Sequence, residues 1–172
     1  MNESDEVWAQ FLAESVANLR AGGDRAVADY ISLKAGNDQV REQGVKWLFD
    51  AMIQLAGEAN RRSYAVAVER EDPHSFRLGR ANMVGSLVRL RHGVRCLTLE
   101  AGWTRSPSDG FMRGQALAAA RISHFGKKEA EVELHLRKTT DHPEWFVLGR
   151  DDRPTRLEAI ELMRHFAILL GR

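Results

Sequence analysis

Residue types suited to ligand chemistry crowd most closely in the stretch Trp103-Thr-Arg-Ser-Pro-Ser-Asp-Gly-Phe-Met-Arg-Gly. It offers the guanidiniums of Arg105 and Arg113, the hydroxyl of Ser108, the carboxylate of Asp109, and glycines that leave backbone amides accessible. If a helix begins near Gly110, its N-terminal amides and the two arginines would draw a phosphate or carboxylate, through the helix dipole and bidentate hydrogen bonds. The plainer reading is a long connection with a capping Asp109 and solvated arginines. The stretch lacks the Gly-Lys-Ser/Thr ending that cradles nucleotide phosphates, and the chain has no six-residue glycine fingerprint of a dinucleotide fold.

A second set of charges, Arg77, Arg80, Arg89, Arg91 and Arg95, falls on or near consecutive strands, with Arg89 and Arg91 on one face of a hairpin. A basic sheet face can hold nucleic acid. Binding of single strands usually adds aromatic stacking platforms, which these strands offer sparsely, so nucleic acid ranks third among the readings. The lone Cys96 sits opposite Arg89 in the expected register, and a neighbouring cation favours the thiolate. No base or orienting group accompanies it, and small buried cysteines usually pack as hydrophobes. The six histidines, at 74, 92, 124, 135, 142 and 165, show no spacing that puts two ligands on one metal. His165 stands four residues after Glu161, as an exposed pair on a helix would. Glu131 and Glu133 read as a solvated strand face. Neither a metal nor a cofactor is expected.

Composition bounds the setting. At 172 residues, 44% hydrophobic and 28% charged, the chain can bury a core without cross-links, and one cysteine allows no internal disulfide. A reducing cytosol is the expected compartment. The acidic start, Met-Asn-Glu-Ser-Asp-Glu, is unlike a targeting segment, and no run of eighteen apolar residues occurs, so no membrane association is expected. Charge is uneven: residues 1–60 carry five Lys/Arg against ten Asp/Glu, residues 61–128 thirteen against five, and residues 129–172 seven against nine. The basic centre either meets an anionic partner or is compensated within the fold.

The elements that must position these residues follow from periodicity. Ser4 to Arg20 puts Trp8, Phe11, Leu12, Val16 and Leu19 on one stripe, with Ser4 as N-cap, Asp5 and Glu6 in the first turn and Gly22 beyond the end. Asp24 caps a short second helix ended by Gly36, and a third runs from Asn37 to about Ala59 on Val45, Trp47, Leu48, Met52 and Leu55. Tyr64, Val66 and Val68 alternate as a strand until Glu71-Asp72-Pro73 forces a turn, and Phe76 and Leu78 hint at another. A hairpin from Met83 to Trp103 turns at His92-Gly93. Pairing Arg91 with Val94 places Val84, Ser86, Val88, Leu97, Leu99 and Ala101 on one buried face. The Ala118 to Ala120 run in 115–125 favours a helix closed by Gly126, with a strand hairpinned there as the rival. Ala130, Val132, Leu134 and Leu136 make a strand buried on one side, and Glu144 to Leu148 pairs back after a turn at Thr139 to Pro143. A closing helix starts at the capping-box spacing of Thr155 and Glu158. Ile160, Met163, Ala167 and Leu170 form its core stripe, with Leu157 and Phe166 beside them.

The expected fold class is therefore α+β, a single domain with N-terminal helices and a C-terminal helix packed on one face of a mostly antiparallel sheet. Residues 1–60 would be helical, 61–150 mainly sheet and 151–172 the closing helix. This element order is similar to the small α+β fold of bacterial secretion chaperones, and fold alone carries no function. The leading expectation is a non-catalytic protein-binding or adaptor module of a soluble, bacterial-type cytosolic protein, partnered by another protein or by a homodimer mate. The alternative is an enzyme or sensor for a small anionic ligand at residues 103–114.

Overall fold

The computed structural model describes residues 3–139, 142–149 and 153–172, those at 3–9 and Pro107 by backbone only. The chain divides into two compact units, Met1–Val40 and Arg41–Arg172. The first holds helix α1, Glu3–Ala21, and the start of α2, Arg25–Arg61. Asp24 caps α2 as expected, its Oδ1 accepting from Val27 N at 3.4 Å. The predicted break at Gly36 does not occur. That glycine lies within the continuous α2, outside the left-handed conformation a helix stop would need, and the two short helices are one. Helix α1 starts at Glu3, so Ser4 lies inside it, and the expected roles of the Ser4, Asp5, Glu6 and Trp8 side chains fall outside the described residues.

In the second unit seven strands run as an antiparallel meander whose spatial order is their chain order. They are β1 (Ala67–Leu78), β2 (Ala81–His92), β3 (Arg95–Trp103), β4 (Ala118–His124), β5 (Val132–Lys138), β6 (Pro143–Leu148) and β7 (Pro154–Arg156). Helix α3 (Ala159–Leu170) ends at Gly171, which takes the left-handed cap. The α+β class is as the sequence predicts, with α3 and residues 41–61 of α2 set against an antiparallel sheet. Val88, Leu97, Leu99, Leu134 and Leu136 are fully buried on one face. Residues 41–61 of α2 meet that face closely. A Cβ on Gly44 would stand 2.6 Å from Leu136 Cδ2, and Trp145 Nε1 donates to the Gly44 carbonyl at 2.9 Å.

Several expectations are corrected. The first strand starts at Ala67, after Tyr64 and Val66, and passes through the cis Asp72-Pro73 bond as a bulge between Glu71 and His74; the predicted turn is absent. The hairpin turns at Gly93-Val94, pairing His92 with Arg95, one residue later than predicted. Moving the turn by one shifts the pairing by two, so Val88 meets Leu99 and Arg91, in place of Arg89, meets Cys96, while every side chain keeps its face. The alanine run is strand β4, because its flanking pairs with β3 and β5 outweigh alanine's helix preference. Thr155 lies in β7. The capping box is Glu158 with Glu161, three residues on. The buried face of α3 is Leu162, His165, Phe166 and Leu169, while Ile160 and Met163 are about half exposed. The 139–143 turn includes residues 140 and 141, which lie outside the described residues.

The other sheet face is not simply solvated. Ala81, Met83 and Ala119 form a small second core there, packed by Phe76, Leu78 and Met112. Next to it lie buried polar side chains, described below.

Candidate functional site

The segment from Thr104 to Leu117 connects β3 to β4 and folds by local bonds rather than by a helix. Two three-residue 3₁₀ turns stand at Pro107–Asp109 and Arg113–Gln115, so the expected helix N-terminus near Gly110 is missing. Asp109 Oδ2 accepts from the Arg105 amide at 3.2 Å, the Ser106 amide at 2.8 Å and Ser106 Oγ at 2.9 Å, and Ser106 Oγ meets Ser108 Oγ at 2.7 Å. These bonds hold the Asp109 carboxyl below its ordinary pKa, Ser106 contributing most. Asp109 thus organises the loop, as the plainer reading supposed.

The loop closes over an open cleft of about 400 Å³ whose polar lining includes Arg41, Thr104, Arg105 and Gln115 and whose apolar lining includes Phe111 and Met112. Trp103 ends β3 with its side chain buried beside these arginines. The Arg105 guanidinium carbon lies 4.0 Å from the centre of the indole, and that of Arg41 lies 5.9 Å away. Arg41 Nε donates to the Leu117 carbonyl at 2.7 Å, and Arg105 Nη2 reaches the Val84 carbonyl at 3.4 Å. Of the two arginines singled out in the sequence, only Arg105 lines the cleft. Arg113 lies instead beside Gly79; the Glu133 carboxyl is held below its ordinary pKa chiefly by the bond from His135, with Arg113 and Arg121 adding smaller pulls. Arg41 replaces Arg113, from a helix more than sixty positions earlier, where no local pattern could announce it.

The outer sheet face carries a charge network the sequence reading missed. Glu100 is almost buried, and Arg121, directly across the β3–β4 pair, grips its Oε2 through Nε at 3.0 Å and through Nη2. His74, brought over by β1, meets Glu100 Oε1 at 2.8 Å and Glu71 Oε1 at 3.0 Å. Burial lowers the His74 pKa, but the bonds to Glu100 and Glu71 outweigh it, so the imidazole ends above its ordinary value. On β5, His135 Nε2 meets Glu133 Oε1 at 2.7 Å; Glu133 is not a fully solvated carboxylate. The geometry suits a structural ion cluster. Arg89 and Arg91 both lie on Glu69, at 3.3 and 3.5 Å, which offsets part of the basic strand face. Cys96 Sγ contacts Thr98 Oγ1 at 3.9 Å and the Leu97 carbonyl at 4.0 Å.

On the helical face, His165 is buried, in contrast to the exposed pair expected with Glu161. Its Nδ1 lies 3.0 Å from Nε2 of His124 on β4, with the rings nearly parallel. Burial, then the facing His165 and Lys127, depresses His124 to about 4; burial also lowers His165 against the opposing pull of Glu161. Two neutral imidazoles sharing one proton fit this site. Among the described residues no group of three or more His, Cys, Asp or Glu is placed to hold a metal ion. A further cavity of about 330 Å³ is lined by Trp47, Trp145, Leu136 and Leu157, with Glu144 held by His142 and Arg156 at its edge.

No described helix is long and apolar enough to cross a membrane. No family model, no curated protein and no solved structure matches the chain.

Proposed function

We propose that the protein is a non-catalytic protein-binding module that self-associates through its N-terminal helices. One observation carries this reading. Between residues 10 and 40, a stretch rich in apolar side chains, Ala28 alone is buried. Phe11, Val27, Tyr30 and Leu33 are between 42% and 66% exposed, and the last three recur every third residue along one side of α2. Helices hold their shape in water chiefly by burying such a stripe, so this one calls for a cover. A second copy supplies it most simply, two helix pairs meeting as a four-helix arrangement about a two-fold axis.

The test is mass in solution. Light scattering after gel filtration should report a dimer for the full chain, with an interface of about 1,200 Å² or more if it is stable. Tyr30→Glu together with Leu33→Glu should shift the species to monomer without loss of the sheet signal in circular dichroism. A monomeric parent chain at every concentration tried would contradict self-association.

A further inference from the structure

We propose that the cleft over Trp103 binds a small organic anion, a phosphate or carboxylate carried on a planar apolar group. Guanidiniums supply the polar half. Arg105 makes no ion pair with any described residue, and its guanidinium carbon stands 4.0 Å from the centre of a buried indole, with Nη2 on the Val84 carbonyl. Arg41 is oriented onto the same ring by the bond from its Nε to the Leu117 carbonyl. Both guanidiniums thus lie over one aromatic base, and among the described residues lining the cleft none is a carboxylate. The nearest acid in sequence, Asp109, directs Oδ2 into the backbone amides of Arg105 and Ser106 and the Ser106 hydroxyl, so it shapes the loop rather than neutralising a guanidinium. A guanidinium without an ion pair, as at Arg105, leaves a positive potential that an anion relieves, and its fork suits bidentate oxygens.

The apolar half is supplied by Phe111 and Met112. Phe111 is 87% exposed on the cleft wall, a costly place for a phenyl ring unless something covers it. A cleft of about 400 Å³ accommodates a one-ring ligand and falls within the size range of small-molecule sites. Selectivity follows from the two halves together: an inorganic anion would use only the arginines, and a neutral aromatic only the wall.

Isothermal titration at fixed ionic strength tests this with phenyl phosphate, benzoate, inorganic phosphate and benzyl alcohol. One or both aromatic anions should bind saturably at one site per chain, inorganic phosphate about tenfold more weakly, and benzyl alcohol not at all. The tighter of the two aromatic anions identifies the head group. Arg105→Gln should weaken the aromatic anion by about tenfold or more, whereas Arg113→Gln, outside the cleft, should leave it unchanged. Phe111→Ala, at an exposed position with little bearing on folding, should erase the preference for the aromatic anion and spare inorganic phosphate. Absence of saturable binding by either aromatic anion overturns the proposal. So does an Arg105→Gln protein that binds as tightly as the parent.

Discussion

Glu100 is the side chain on which the outer face turns. A carboxylate this deep is tolerable because Arg121 and His74 both bond it, so removing it strands a partly buried guanidinium and an imidazolium together. Glu100→Ala should therefore cost about 3 kcal/mol in urea unfolding, and a change below about 0.5 kcal/mol would mean the cluster is a spectator. The two histidine sites pull stability in opposite directions with pH. His124, depressed to about 4, takes up a proton more readily in the unfolded chain, whose histidines titrate near 6.5. Stability should consequently fall as pH is lowered from about 6.5 towards about 4. His74, raised by its carboxylates, contributes stability below about 6.5 that is lost as pH rises through its folded value. Replacing His124 and His165 together by Leu should flatten the acid limb of an unfolding free energy against pH profile; an unchanged slope would place that titration elsewhere.

Among the elements, β2 and β3 leave no room for a side chain where Gly85 faces Gly102. A Cβ on Gly85 would lie 1.9 Å from the Ala101 carbonyl oxygen, a backbone atom that no rotamer change can move. Gly85→Ala should thus destabilise by about 3 kcal/mol or more, while Gly36→Ala, in open space inside α2, should be neutral or stabilising by up to about 1 kcal/mol. Thermal melts of the pair decide it, and equal melts would refute the close approach. The same elements explain what could be read beforehand. Alternation along Val88, Leu97, Leu99, Leu134 and Leu136 marked the helix-facing core correctly, since a slip of two residues in register leaves each side chain on its face. In closing helix α3 Phe166 is buried as periodicity predicts, but apolar residues flank both sides of it, so only contact with the sheet selects Leu162 and Leu169 over Ile160 and Met163. Ala118 to Ala120 misled for a related reason: small side chains suit a crowded central strand as well as a helix. In the cleft, Arg105 is legible from loop composition, but the positions of Arg41 and Phe111 on its wall depend on tertiary placement.

For the molecule as a whole, charge and apolar exposure are distributed unequally between its units. Residues 1–40 carry three Lys/Arg against seven Asp/Glu, and the exposed Val27, Tyr30 and Leu33 lie among them. The sheet, by contrast, blunts its own edges: outer strand β1 carries Glu69, Arg70, Glu71, Asp72 and Pro73, and outer strand β7 is three residues long and starts with Pro154. The proposed self-association would therefore use the helices. Two copies meeting there would bring like charges together, and salt would screen that repulsion while leaving apolar burial intact. The most direct measurement is sedimentation equilibrium of the full chain from about 50 mM to about 500 mM sodium chloride, a span over which the screening length falls roughly threefold. A monomer–dimer equilibrium that tightens as salt rises is the predicted result. A chain that stays monomeric throughout, or a dimer that loosens with salt, would contradict self-association through the acidic helices.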